Sequence, residues 1–113
     1  MDEPRRVPFG EMAWAEDAPG IRAREVEVGG ARWAIVEYAP GARREGWCED
    51  GHRGFVLSGG IEYEFDDGRP PLRAAEGEAF LLPSAPLGDG AHRGSSLAAG
   101  PTRLFLIDDP MGG

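Results

Sequence analysis

The stretch HRGFVLSGGIEYEFDDG, residues 52–68, decides how the chain is read. Two short runs of alternating polar and apolar residues flank a Gly-Gly pair, the pattern of two β-strands joined by a tight turn. With Gly59-Gly60 as a two-residue loop, Ser58 faces Ile61, Val56 faces Tyr63, Gly54 faces Phe65, and His52 lies opposite Asp67. Side chains alternate across a strand, so His52, Gly54, Val56, Ile61, Tyr63 and Phe65 share one face, where Gly54 leaves room for the Phe65 ring. Arg53, Phe55, Leu57, Glu62 and Glu64 occupy the other. Phe55 and Leu57 are too apolar to be left in water. Their cover is expected to be the N-terminal arm or a second subunit, the latter making the protein a homodimer.

On either side of this stretch the chain continues as short strands divided by turn signals. The expected strands are Arg22–Val28, Ala31–Tyr38, His52–Ser58, Ile61–Phe65, Leu72–Ala75, Ala79–Leu82, His92–Leu97 and Arg103–Ile107. Gly29-Gly30, Pro40-Gly41, Gly59-Gly60, Asp67-Gly68, Glu76-Gly77 and Gly100-Pro101 punctuate them. No longer window carries a helical apolar stripe, so an all-β antiparallel sandwich or barrel follows. Residues 1–20, rich in proline, glycine and charge, are expected to wrap this domain as an irregular arm, with Trp14 packed on the core. A chain of 113 residues suffices for one such domain.

Composition narrows the function. Twelve basic residues are interleaved with 20 acidic ones for a formal net charge of −8. Phosphate backbones require clustered cations, so nucleic acid is excluded as a partner, and anionic membrane surfaces with it. One cysteine allows no internal disulfide, and no CxxC pair offers a structural zinc site. Nothing at the start resembles a secretory signal, and no run nears the roughly 20 apolar residues of a membrane helix. A soluble cytoplasmic protein is the expectation.

Cys48, His52 and His92 are the residues able to carry site chemistry. Cys48 read alone is a small buried hydrophobe, and its use as a nucleophile needs a basic partner such as His52. His52 read alone is a pocket-lining histidine paired with Asp67. Glu45, Glu49 and Asp50 form an acidic rim at the same turn. Trp47, Tyr63, Phe65 and Phe80 supply aromatic wall or core, and a buried Tyr63 hydroxyl needs a polar partner. DDGRPPL and IDDP read as turns, without the spacing of a calcium loop.

VLSGGIEYEF, residues 56–65, followed by GEAFLLP, residues 77–83, resembles the small single-domain cupins, RmlC-like proteins with a double-stranded β-helix (jelly-roll) barrel. Gly41 opens the first cupin motif and Gly59 closes it, and Gly77-EAFLL-Pro83 fits the start of the second. The stretch WCEDGHRGFVL, residues 47–57, is similar to the core of a group of small bacterial cupins. The resemblance covers Ile21 to Ile107 and implies an arm over 1–20 and one barrel domain over 21–113. It places His52 where cupins carry glutamate, with Cys48 and Gly46 at the positions of the paired HxH histidines. The usual site of three histidines and a glutamate therefore cannot form.

What the resemblance implies for function is a small-molecule pocket inside the barrel, lined by Trp47, His52, Val56, Tyr63, Phe65 and His92. Without the HxH pair, a metal-free pocket is the reading preferred. The alternative is a metal-dependent enzyme, an oxygenase, isomerase or lyase acting on a small polar molecule. In it Cys48, His52 and His92 hold a divalent transition metal: zinc, iron, manganese, copper or nickel. A third reading takes the apolar outer face and acidic surface as an interaction module.

Overall fold

The computed structural model describes residues 3–109. The end of the expected barrel domain, residues 110–113, lies outside them. Nine strands follow one another: β1 (Ala15–Ala18), β2 (Ile21–Val28), β3 (Ala31–Tyr38), β4 (Gly51–Ser58), β5 (Gly60–Phe65), β6 (Leu72–Ala75), β7 (Ala79–Leu82), β8 (His92–Ser96) and β9 (Thr102–Asp109). They form a six-stranded sheet, ordered β1-β2-β3-β9-β4-β7, and a three-stranded sheet, ordered β6-β5-β8. All pairings are antiparallel. The architecture is the expected all-β jelly-roll barrel, and eight of its strands fall within two residues of the expected bounds. Among the described residues no helix is long and apolar enough to cross a membrane.

The core is built from the inward positions of both sheets. In the large sheet Val36, Leu104 and Val56 stand side by side, as do Ala34, Leu106 and Gly54. Ile61, Tyr63 and Ala74 close over them from the small sheet. Each fully buried aliphatic side chain here contributes about 1.5–3 kcal/mol relative to its exposure.

The inward face predicted for residues 52–65 is correct, but the hairpin that was to create it is not there. Strand β4 pairs with β7 and β9, while β5 pairs with β6 and β8. At Gly59 the chain leaves one sheet and enters the other. The inward positions change from even-numbered to odd-numbered across the crossing, where β4 is irregular between Val56 and Ser58, and a two-residue hairpin would change them likewise, so either arrangement produces the same inward set. Glu62 and Glu64 thus face outward from a different sheet than Arg53, Phe55 and Leu57. Gly54 makes room for Phe80 rather than Phe65: a Cβ on it would lie 2.3 Å from the Phe80 ring. His52 lies opposite Asp108, not Asp67.

The arm is also more ordered than expected. It contains a 3-10 turn at Phe9–Glu11, and β1 extends the large sheet beside β2. Trp14 does not pack on the core. It is half-buried on the outer surface, with the Arg22 and Arg24 guanidinium groups 4.2 and 4.1 Å from its ring. Phe9 covers Phe105 edge-on, at 6.1 Å between centroids. Phe55 and Leu57 remain 40% and 44% exposed.

The crossing is held by one buried side chain. Gly59 has φ +83°, and a Cβ there would approach Thr102 Oγ1 to 2.4 Å. Thr102, wholly buried, accepts the Gly60 N–H at 3.1 Å and donates to the Gly60 carbonyl at 2.9 Å, with Ser96 Oγ 3.0 Å away. Gly59→Ala should therefore cost about 2 kcal/mol or more through backbone strain and the clash. Thr102→Val, which keeps the shape but orphans the Gly60 N–H, should cost about 1–3 kcal/mol. Urea denaturation measures both, and wild-type stability in both variants would contradict a constrained crossing.

Candidate metal centre and pocket

Three separate segments deliver the site. Residues 42–48 form a strap alongside β8, with the Ala42 carbonyl taking Ser96 N–H and the Arg44 N–H reaching the Gly94 carbonyl, both at 2.9 Å. At its end Cys48 and His92 form a mutually hydrogen-bonded antiparallel pair, N···O 2.7 and 3.0 Å, which sets their side chains as cross-strand neighbours. His52 comes from the opposite sheet, on β4. Gly51 before it is required by close packing rather than by a bend. It has an ordinary φ, and its N–H bonds Ser84 Oγ at 2.9 Å where a side chain would collide.

The donor atoms of Cys48, His52 and His92 all lie within 4.8 Å of one another. Cys48 Sγ is 3.7 Å from His52 Nε2, and the two imidazole rings meet edge to face at 4.7 Å. His52 Nδ1 is 2.6 Å from Asp108 Oδ1, while Asp108 Oδ2 is 2.7 Å from the Arg32 guanidinium. A carboxylate at Nδ1 keeps a proton there and turns Nε2 toward Cys48. His92 is 3% exposed, and its Nε2 is buried without any hydrogen-bond partner. A buried nitrogen left unpaired costs free energy unless something binds it.

These contacts change the titration of the group. Burial alone would push the Cys48 thiol up, but the His52 imidazole 3.7 Å from its sulfur, with His92 close by, outweighs it and holds the thiol at about 6. Burial alone would lower His52, yet its hydrogen bonds to Asp108 and Cys48 raise it to about 9. Between those values the pair exists as thiolate and imidazolium.

The donors sit on the wall of a cavity of about 770 Å³ together with Trp47, Tyr63, Leu106 and four arginines. Of the pocket residues expected from the sequence, Trp47, His52, Tyr63 and His92 lie on this wall. Val56 and Phe65 do not: Val56 is wholly enclosed in the core, and Phe65 lies beneath the Arg69 guanidinium. Tyr63, 3% exposed, packs against His92 and Phe80. Gly94 makes the space, since a Cβ there would touch both Tyr63 and the Tyr38 hydroxyl. Glu45 and Asp50 of the expected acidic rim line the mouth. Asp108, Arg32, Arg43, Arg44 and Arg93 had not been anticipated. Asp108 lies in β9, which runs to Asp109, rather than in a turn, and the alternation Leu104, Leu106, Asp108 was the available signal.

The donor set is suited to a metal ion. One thiolate and two imidazoles match zinc, copper and iron(II), and three protein ligands leave positions open to a bound molecule. Tetrahedral bonds of about 2.0–2.3 Å separate ligand atoms by about 3.3–3.8 Å, which the Cys48–His52 distance already meets. Asp108 supplies the carboxylate that metal-bound histidines usually engage.

No known family profile matches the chain, and no functionally curated protein matches its sequence. Solved structures do match in shape. A Rhizobium leguminosarum protein of unknown function superimposes with a TM-score of 0.74 at 15% identity, covering 96% of this chain and 99% of its own. KdgF from Halomonas sp. gives 0.68 at 22%, covering 89% of both chains. An RmlC-like cupin from Shewanella frigidimarina gives 0.66 at 13%, covering 95% and 94%. At such identities what is shared is the fold, and the fold is that of the cupins.

In the metal-free protein the ultraviolet absorbance of the thiolate should rise with a midpoint near pH 6. Cys48→Ser removes the signal, and His52→Ala moves the midpoint up toward the ordinary thiol value. A wild-type midpoint near 9 would show that the histidines do not engage the sulfur.

Proposed function

We propose that this protein is a metal-dependent cupin that binds a small molecule in its barrel, with Cys48, His52 and His92 holding a divalent transition metal at the base of the pocket. The observation that carries the reading is the convergence of three donors from two sheets and the strap, with His92 itself buried and its Nε2 left without a hydrogen-bond partner. The missing HxH pair argued against a metal, but a cysteine hydrogen-bonded across from His92 offers a different set. Zinc and iron(II) suit thiolate with imidazole better than manganese does. When bound, such an ion supplies Lewis-acid polarisation of a ligand oxygen. The chain's own residues orient the site: Asp108 fixes His52, Arg32 fixes Asp108, and Tyr63 closes the inner wall.

Protein purified without added metal and then dialysed against zinc should carry about one equivalent. Cys48→Ser and His92→Ala should each lose most of it while the strand spectrum by circular dichroism is kept. Asp108→Asn should weaken metal affinity about 10–100-fold without removing a ligand. Wild-type protein that stays metal-free after dialysis against zinc and iron(II) would sink the reading.

The outer face supports a homodimer. Phe55, Leu57 and Leu81 are 40%, 44% and 62% exposed on neighbouring strands β4 and β7, and β7 is an open sheet edge. Light scattering should report twice the chain mass, and Phe55→Asp with Leu57→Asp should halve it. A monomeric wild type at high concentration refutes this pairing.

A further inference from the structure

Strand alternation divides the arginines around the cavity between two faces. Arg43 stands opposite Ser95 on the outward face of the strap and β8, and Arg93 turns outward to Glu64. Arg44 and Gly94 take inward positions on the same two segments. The guanidinium groups that do reach inward are already neutralised, Arg44 by Asp17 and Arg32 by Asp108. Among the described residues the inner wall therefore offers no unpaired cation to an anionic ligand.

It offers hydroxyl groups instead. Tyr63, 3% exposed on β5, makes no hydrogen bond through its hydroxyl among the described residues. That oxygen is not sealed off as His92 Nε2 is, so its remaining surface belongs to the cavity that Tyr63 lines. Tyr38, buried at the end of β3, accepts the Arg44 Nε–H at 3.1 Å, and its own proton has no acceptor among the described residues. Both tyrosines converge on Gly94, where a Cβ would lie 2.9 Å from the Tyr38 hydroxyl and 2.9 Å from the edge of the Tyr63 ring. The Tyr63 ring also meets His92 at 5.6 Å between centroids, which sets it beside the donor cluster.

Each phenol is protonated at neutral pH and so presents an O–H in want of an acceptor. A buried donor left unmet costs free energy that a ligand oxygen recovers. A carbonyl oxygen only accepts, which suits this wall. An alcohol in its place brings a proton of its own, and the Asp108 carboxylate is already taken by His52 and Arg32. Leu106 adds apolar surface for a carbon skeleton.

We propose that the pocket takes a small uncharged carbonyl compound, a ketone or an aldehyde, whose oxygen accepts the Tyr63 hydroxyl, with Tyr38 as a second donor. This deepens the small-molecule reading above and rests on the cavity alone, because both hydroxyls are there with or without an ion. Cyclohexanone and cyclohexanol test it, because they share a carbon skeleton and differ in the carbonyl. Acetophenone and 1-phenylethanol form a larger pair of the same kind.

Calorimetry should show one of the ketones binding to zinc-loaded and to metal-free protein, with its matched alcohol about tenfold weaker. In metal-free protein cyclohexanecarboxylate should also bind more weakly than cyclohexanone. Infrared spectra should show the bound carbonyl stretch at lower frequency than in an apolar solvent. Tyr63→Phe should weaken the ketone about tenfold, return the stretch toward its apolar value, and leave zinc content and thermal midpoint unchanged. Tyr38→Phe should weaken the ketone too, at some cost in stability, because Arg44 Nε loses its acceptor. Binding of neither ketone, equal binding of ketone and alcohol, tighter binding of the carboxylate, or wild-type affinity with an unmoved stretch in Tyr63→Phe overturns the assignment. Metal content measured on the same samples separates the two readings. Protein that binds a ketone through Tyr63 but never takes zinc overturns the metal centre alone. Zinc-loaded protein indifferent to both ketones overturns the carbonyl assignment alone.

Discussion

Strand β9 is hydrogen-bonded on both sides, to β3 and to β4, so its side chains have only two directions available. The four that turn inward, Thr102, Leu104, Leu106 and Asp108, organise the barrel from one end to the other. Thr102 holds the crossing between sheets, and the two leucines fill the core between Val36, Val56 and Ala34. Asp108 ends the row between Arg32 and His52. A slip of one residue in this strand would expose both leucines and bury Arg103 and Phe105 in their place. The register that makes the core is therefore the register that aligns the site.

Much of this was visible in the sequence because a strand writes its burial pattern in alternate residues. Strands β3, β6 and β7 have the bounds expected of them, since glycine or proline stands within two residues of both ends of each run. The partners of β4 and β5 were a different matter. Gly59-Gly60 suits a two-residue hairpin and a sheet crossing equally well, and both shift the inward positions by one residue in the same way. What separates them is Thr102, which lies 42 residues beyond Gly60 and carries no local signal. β1 was missed for a related reason: AEDA is mostly exposed and pairs through its backbone, so it has no apolar pattern to read.

The site followed the same division. Cys48, His52 and His92 could be singled out by residue type, and the spacing of a known barrel placed them near one another. Their support could not be found that way. Asp108 had been grouped with a turn because Asp-Asp-Pro has turn composition, and the pairing of His52 with Asp67 depended on the hairpin that the structure replaces. Val56 and Phe65 share the inward face with His52 and Tyr63, yet inward is not the same as cavity-lining. Val56 is wholly enclosed in the core, whereas the cavity is walled by the strap together with residues of both sheets. Alternation gives the face of a side chain and says nothing of its height along the barrel.

The three-segment origin of the donors bears on how the molecule assembles. Cys48 and His52 are close in the chain, so bringing them together closes only a short loop. His92 joins them only once the strap has docked beside β8, and Asp108 stands behind His52, 56 residues away, only once β9 has entered the large sheet. Such pairings close long loops and form late on the folding route. Contacts absent from the folding transition state slow escape from the native state and leave the rate of reaching it nearly unchanged. Whatever the cluster grips thus acts as a latch on a finished barrel rather than as a seed for building it.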